Sequence, residues 1–125
     1  MATTNRFTAG AGQDNTFRTV TQDYQAPAYA ATIAVTTAAE RTKVIPGDLT
    51  GALALSAGVG TATTAPYVGD KLDFVFSSAP GETITFGAGL AVTAATLIIP
   101  ATKYATITFM FNGIKWVERS RSITI

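Results

Sequence analysis

The chain of 125 residues contains neither cysteine nor histidine. Without cysteine there are no disulfides and no thiolate metal ligands, so stability must come from packing, strand pairing or oligomerisation. Without histidine there is no Ser-His-Asp triad, no Cys-His pair and no imidazole metal cluster. The catalytic arrangements that remain are a carboxylate pair or a Ser-Lys pair.

The acidic residues are not spaced for catalysis. Asp70 and Asp73 are three apart in a predicted strand, which places them on opposite faces. Asp48 and Asp70 each lie at a predicted turn, where aspartate commonly accepts hydrogen bonds from the backbone. The glycine-rich segments 58–60 and 87–89 lack the Lys-Ser/Thr of a phosphate loop. We therefore predict that the protein is not an enzyme and has no catalytic residue, metal site or cofactor.

Charge is also scarce, at 14% of residues against about 25% in an average soluble domain, while 47% of residues are hydrophobic. Either hydroxyl and amide side chains coat the surface, or much of the surface is buried against other chains, which is the interpretation we favour. The net charge of +1 gives no general attraction to nucleic acid or to an anionic membrane, so we predict neither as a partner.

The start of the chain lacks the basic and apolar regions of a signal peptide, and no apolar run approaches the roughly 18 residues that span a bilayer. We therefore expect synthesis in a cytoplasm without a signal peptide.

Two segments are distinguished by pattern. Residues 1–28 are polar with isolated aromatics, and we predict an extended N-terminal arm that needs a partner surface to order it; a floppy terminus is the alternative. Residues 29–125 alternate short β-branched and aromatic runs with Gly and Pro turns, which predicts a β domain. β-branched residues also favour strand over helix in the alanine-rich segment 28–40. The predicted fold is all-β, an antiparallel β-sandwich or barrel of jelly-roll-like type.

The clearest local signal is Asn112-Gly113 between two alternating runs, which predicts a hairpin with a type I′ turn. Trp116 then lies in the second strand, and we interpret it as a sheet-packing aromatic, with ligand stacking as the alternative. Regular alternation would align Lys115, Arg119 and Arg121 in a basic stripe, which we interpret as solvated or partner-facing rather than bound to nucleic acid. The final "RSITI" predicts a last strand, paired in its own sheet or in a neighbour's.

Residues 41–122 resemble a β module of tailed-bacteriophage virions, found in head decoration proteins, head fibres and tail-fibre tips. The resemblance is carried by four segments that contain the matching positions: "KVIPGDLTGALAL" (43–55), "VGDKLDFVF" (68–76), "TITFGAGL" (83–90) and "TLIIPATKYATITFMFNGIKWVERSRS" (96–122). The family turn often has Asp where this chain has Asn112, which a hairpin turn accommodates. The chain has neither a heptad stalk nor a collagen-like repeat, which favours the short capsid-surface members.

The resemblance implies a homotrimer of β units without catalytic residues. On this basis we expect a capsid decoration protein on the outer surface of a phage head, bound to the major capsid protein and stabilising the shell. The predicted capsid contacts are in the arm: Phe7, Phe17, Arg18 and Tyr24. The alternative is a receptor- or glycan-binding module of a head or tail fibre, with Tyr67, Tyr104 and Trp116 as stacking residues.

Overall fold

The computed structural model describes residues 22–61 and 66–124. All regular structure in these residues is β, which confirms the predicted class. The strands are β1 Gln22–Gln25, β2 Thr32–Val35, β3 Arg41–Val44, β4 Leu53–Ala57, β5 Lys71–Ser78, β6 Glu82–Phe86, β7 Leu90–Ala91, β8 Thr96–Ile99, β9 Lys103–Phe111 and β10 Trp116–Ile123.

The strands form two sheets, and the chain alternates between them from β1 to β9. A six-stranded sheet has the order β1-β3-β5-β9-β10-β7, and a four-stranded sheet has the order β2-β4-β6-β8. Because the chain visits the other sheet between successive strands of one sheet, β1, β3 and β5 run in the same direction, as do β2, β4 and β6. The segment from β1 to β6 thus winds between the sheets three times and adds one strand to each sheet in every turn. The antiparallel strands β9 and β10 then extend the six-stranded sheet beyond β5.

The predicted antiparallel pairing holds for only part of the molecule. Within the described residues, five of the eight strand pairings are parallel. Alternation with a period of two shows which side chains are buried, but it is the same for either pairing direction. A turn signal likewise looks the same whether the chain returns in one sheet or crosses to the other. The two sheets enclose one core in a sandwich-like arrangement, and the jelly-roll-like arrangement is not confirmed.

The long strands β5 and β9 each bury one face. In β5, Leu72, Phe74 and Phe76 are fully buried, and the opposing strand β9 buries its residues at 105, 107, 109 and 111. The ring of Phe74 stacks on Phe76 with centroids 5.4 Å apart and meets Phe109 edge-on at 5.9 Å. Burying each such side chain stabilises the fold by roughly 1.5–3 kcal/mol. The core therefore rests on a cluster of aromatic residues at the centre of the six-stranded sheet.

The hairpin between β9 and β10 is confirmed, but its turn is not of type I′. Phe111 pairs with Trp116, so the loop has four residues, 112–115. Gly113 has a positive φ of 98°, whereas Asn112 does not have a positive φ. Instead, the Asn112 side-chain oxygen accepts hydrogen bonds of 2.8 Å from the backbone N–H groups two and three residues further on. The Asn112 side chain thus stabilises the turn, whereas the prediction required a positive φ at Asn112.

Three segments show where the sheets begin and end. Residues 22–28 of the predicted arm lie against the β domain: β1 pairs with β3, and the Ile45 N–H donates to the Gln25 carbonyl. Segment 90–99 is divided between β7 and β8, which lie in different sheets. The C-terminal strand pairs within the chain, where Ile123 aligns with Ala105.

Candidate functional site

The predicted arm contacts lie mostly outside the described residues. Phe7, Phe17 and Arg18 belong to residues 1–21, which the structure does not describe. Tyr24 is in β1, at the edge of the six-stranded sheet, and its side chain is 63% exposed. It is the one predicted arm contact whose surroundings are defined.

Trp116 is fully buried and packs in the sheet. Its ring centroid lies 5.2 Å from that of Phe111, and its indole N–H donates to the Gly58 carbonyl at 3.0 Å. Its backbone N–H also donates to the Gly89 carbonyl. These contacts confirm the interpretation of Trp116 as a packing residue, so the stacking alternative rests on the two tyrosines.

Tyr67 and Tyr104 do not form one site. Tyr67 is 38% exposed and precedes β5, and its N–H donates to the Asp70 carboxylate beside the β9–β10 loop. Tyr104 is 56% exposed at the other end of β9, about 23 Å from Phe111 at the rise of an extended strand. The two exposed tyrosines predicted as stacking residues are therefore far apart.

The outer face of the four-stranded sheet has no charged side chain. The strands β2, β4 and β8 contain no charged residue, and Glu82 of β6 shares the inward side with the buried Ile84. One row across this face is fixed by the strand register and consists of Thr32, Ala54, Thr85 and Thr96. Ile98, which is 64% exposed, adds a large apolar side chain. Small uncharged side chains of this kind permit close approach of another protein surface.

The outer face of the six-stranded sheet differs in character. Across β9 and β10 it carries paired hydroxyls, with Thr106 and Ser122 oxygens 2.9 Å apart and Thr108 and Ser120 oxygens also 2.9 Å apart. Across β1, β3 and β5 it carries charged side chains instead. The two sheets thus present chemically distinct outer faces, one uncharged and one polar.

A groove of about 390 Å³ lies among these charged side chains. Strand register places Tyr24, Lys43 and Asp73 side by side, and Gln22 beside Arg41 in the next row. These five residues line the groove, together with Asp23 and Thr42 of the intervening positions. Residues far apart in sequence therefore meet on one face.

A β-bulge in β10 creates an ion pair that the sequence pattern did not reveal. Glu118 aligns with Phe109 and Ser120 with Thr108, so Arg119 is an extra residue in the strand. Residues three apart normally point to opposite faces, but the extra residue brings Arg121 to the same face as Glu118. The predicted basic stripe of Lys115, Arg119 and Arg121 is therefore wrong, because Arg121 turns away from the outer face.

This ion pair joins the two sheets. Arg121 donates to both Glu118 carboxylate oxygens at 2.7 Å, to the Thr96 carbonyl at 3.0 Å and to the Ala94 carbonyl at 3.1 Å. Its guanidinium also lies 5.2 Å from the ring centroid of Phe86 in the four-stranded sheet. The Arg121 hydrogen bonds lower the pKa of Glu118 from 4.5 to about 2, against the opposing effect of burial.

The remaining acidic side chains satisfy backbone groups. Asp70 accepts from Tyr67 as predicted for a turn residue, whereas Asp48 accepts from the distant Ala79 N–H at 3.2 Å and ties two loops together. Within residues 22–61 and 66–124, no acidic cluster has the arrangement to hold a metal ion, and no helix is long and apolar enough to cross a membrane.

No protein-family model matches this chain, and a search of curated proteins gives no match. The resemblance to a virion module therefore rests on the four quoted segments, and the surfaces described above provide the structural basis for assigning a function.

Proposed function

We propose that this chain is a capsid decoration protein of a phage head, present as a homotrimer whose subunits meet through the outer face of the four-stranded sheet. The observation that carries the proposal is the absence of charge from that face. Interface cores are depleted of charged residues, because a buried charge without a partner costs several kcal/mol. The charged strand residues are concentrated instead on the six-stranded sheet, which would remain at the surface of the trimer.

The proposed trimer leaves the N-terminal side of the chain free to contact the capsid. β1 is at the edge of the six-stranded sheet, on the opposite layer from the proposed subunit interface. The arm that precedes it would reach neighbouring capsid subunits through Phe7, Phe17 and Arg18. Such contacts oppose the outward pressure of packaged DNA by linking subunits that would otherwise separate. The proposed location is the outer surface of the virion head.

The subunit interface is tested by a charge placed on it at Ile98, in the edge strand β8. We expect the wild-type chain to have a solution mass three times 13.0 kDa by light scattering. Ile98→Asp should give a folded monomer, because each proposed interface would then bury a carboxylate without a partner. Val117→Asp is the matched control, since Val117 is 37% exposed on the other sheet, and it should remain a trimer. A wild-type monomer at all concentrations, or a trimer of the Ile98→Asp chain, would refute this interface.

The capsid contact is tested separately by sedimentation with shells from which the decoration protein has been removed. The full chain with Phe7, Phe17 and Arg18 all replaced by alanine should stay trimeric but fail to sediment with shells. The control is the Val117→Asp chain, which should sediment like the wild type. Equal sedimentation of all three chains would contradict a capsid-binding role for the arm.

A further inference from the structure

A second groove lies at one open end of the sandwich, and we call it the end groove. Its volume of about 370 Å³ is at the lower end of the range for pockets that hold a small organic group. None of the described residues that line it is charged. Val68, which precedes β5, is 74% exposed on one side of it, and Ile114 of the β9–β10 loop is 72% exposed. The buried residue Phe111 also lines it, so the end groove exposes apolar side chains beside the core.

The walls of the end groove are held in place by backbone contacts. The Gly69 N–H donates to the Phe111 carbonyl and the Phe111 N–H donates to the Asp70 carbonyl, both at 2.9 Å. A Cβ added at Gly113 would lie only 3.2 Å from the Val68 side chain, so Val68 already packs closely against the β9–β10 loop. Because these contacts fix the two walls relative to each other, the groove is formed before anything enters it.

The N-terminal segment of the chain joins the domain at the same end. Strand register across β1, β3, β5 and β9 places four residues in one row, Gln22, Arg41, Lys71 and Met110. Gln22 is the first residue of β1, and Met110 is followed by Phe111 of the end groove. Since neighbouring strands are about 4.8 Å apart, the row spans about 14 Å. Residues 1–21 therefore meet the domain about 14 Å from the end groove.

The length of the chain selects one residue of this segment. Val20 is two residues before Gln22 and reaches at most about 7 Å, which falls short of the end groove. Phe17 is five residues before Gln22 and reaches about 17 Å. Phe7 also reaches, but it closes a longer loop at a greater cost in entropy. Phe17 is thus the nearest large apolar side chain that the end groove can receive.

We propose that the end groove binds Phe17 of its own chain, with the ring between Val68 and Ile114 and against Phe111. This docking removes exposed apolar surface from water on both partners and places two aromatic rings in contact. It supplies, within the same subunit, the surface that the predicted arm needs for order. The inference describes the free chain before any shell is bound, so it does not depend on the capsid role.

Disulfide trapping in the full chain tests this docking, because the chain has no cysteine and an introduced pair supplies its only thiols. Thr16→Cys and Arg18→Cys flank Phe17, and each is combined with Lys115→Cys, at an exposed position in the β9–β10 loop. The comparison pairs use Tyr104→Cys instead, at the other end of β9. With oxidised glutathione, at least one flanking position should form an intramolecular disulfide about ten-fold faster with Lys115→Cys than with Tyr104→Cys, because docking raises the local thiol concentration. Mass spectrometry measures this product, and a non-reducing gel reveals disulfides between chains.

Further substitutions in the faster pair separate docking of Phe17 from mere proximity. Phe17→Ala should slow disulfide formation by about ten-fold, and Ile114→Asp should slow it similarly by placing a charge in the groove wall. Phe7→Ala is the matched control and should leave the rate unchanged. Ile114 is largely exposed, and an unchanged thermal melting curve would show that each variant is folded.

Three results would overturn the proposal. These are equal rates for the Lys115→Cys and Tyr104→Cys pairs at both flanking positions, no slowing by Phe17→Ala, or disulfides formed mainly between chains, which would show that a second copy fills the groove. The rate should also be unchanged when Ile98→Asp is added, because the end groove and Phe17 belong to one subunit, and a loss there would overturn that assignment. No capsid takes part in the assay, so its outcome is separate from that of the sedimentation test.

Discussion

Replacing Glu118 with glutamine should destabilise the fold at neutral pH and should do so less in acid. The carboxylate accepts two hydrogen bonds of 2.7 Å from Arg121, and one of its oxygens also accepts from the Thr93 backbone N–H at 2.9 Å. Glutamine has nearly the same shape but no charge, so the change removes the charge and leaves the packing in place. The variant therefore removes the charge and one of the two acceptor oxygens, and the pH dependence separates these two effects.

The magnitude follows from the pKa of Glu118, which falls from 4.5 to about 2 on folding. At about 1.4 kcal/mol for each pH unit, this difference gives a ceiling of about 3.4 kcal/mol at pH 7. The Arg121 side chain is 20% exposed, and solvent screening reduces the contribution to about 1–2 kcal/mol. Because the folded pKa is the lower one, this stability is complete above pH 4.5 and is lost as the pH falls toward 2.

Urea unfolding at pH 7, 5, 4 and 3 measures this contribution, with the fluorescence of Trp116 as the signal and the chain concentration held fixed. The difference in unfolding free energy between wild type and Glu118→Gln should be constant from pH 7 to 5. It should then fall to about half at pH 3. Glu40→Gln is the matched control, because Glu40 is exposed, and it should change stability by less than about 0.5 kcal/mol.

A difference that stays constant from pH 7 to pH 3 would refute this reasoning. It would mean that Glu118 acts through hydrogen bonds that glutamine disrupts at every pH, and not through its charge. A difference that grows in acid would contradict the direction of the pKa change itself.

Five further substitutions test the geometry of the turns and the core. Gly89→Ala should lower the unfolding free energy by more than about 3 kcal/mol in thermal melting, because the residue has a φ of 83° and its new Cβ would overlap a backbone carbonyl oxygen. Gly69→Ala should lower it by only about 1–2 kcal/mol, because this residue has a φ of 91° but no atom near the new Cβ. Asn112→Ala should cost about 1–2 kcal/mol in urea unfolding, whereas Asn112→Asp retains the acceptor oxygen and should be nearly neutral. Trp116→Phe should cost about 2 kcal/mol by circular dichroism melting, since it loses ring volume and a buried hydrogen bond.

Much of the local structure was predictable because it depends on neighbouring residues. Alternating short runs predicted a β domain, and the Asn112-Gly113 signal located the hairpin. The turn itself was mispredicted because an asparagine can serve either through a positive φ or through its side-chain oxygen. Both uses favour the same residue, so the sequence does not separate them.

The bulge in β10 shows a different kind of limit. One extra residue reverses the inside–outside alternation for the rest of the strand, and nothing in the local composition marks Arg119 as that residue. Its position depends on the partner strand and on the carbonyl groups that Arg121 reaches in the β7–β8 connection. Because of the bulge, Arg121 forms an ion pair with Glu118 between the sheets and does not join the predicted basic stripe.

The amino-acid sequence by itself determined that this chain is all-β, because β-branched and aromatic residues with a period of two bury one side of a strand wherever that strand is placed. Only the tertiary structure decided which strands are neighbours, since backbone hydrogen bonds are the same for every pairing. The charged groove across β1, β3 and β5 depends on this step: Tyr24, Lys43 and Asp73 are distant along the chain and meet because three strands run parallel in register. The uncharged face of the other sheet arises in the same way, because the outward residues of its four strands become adjacent only when those strands pair.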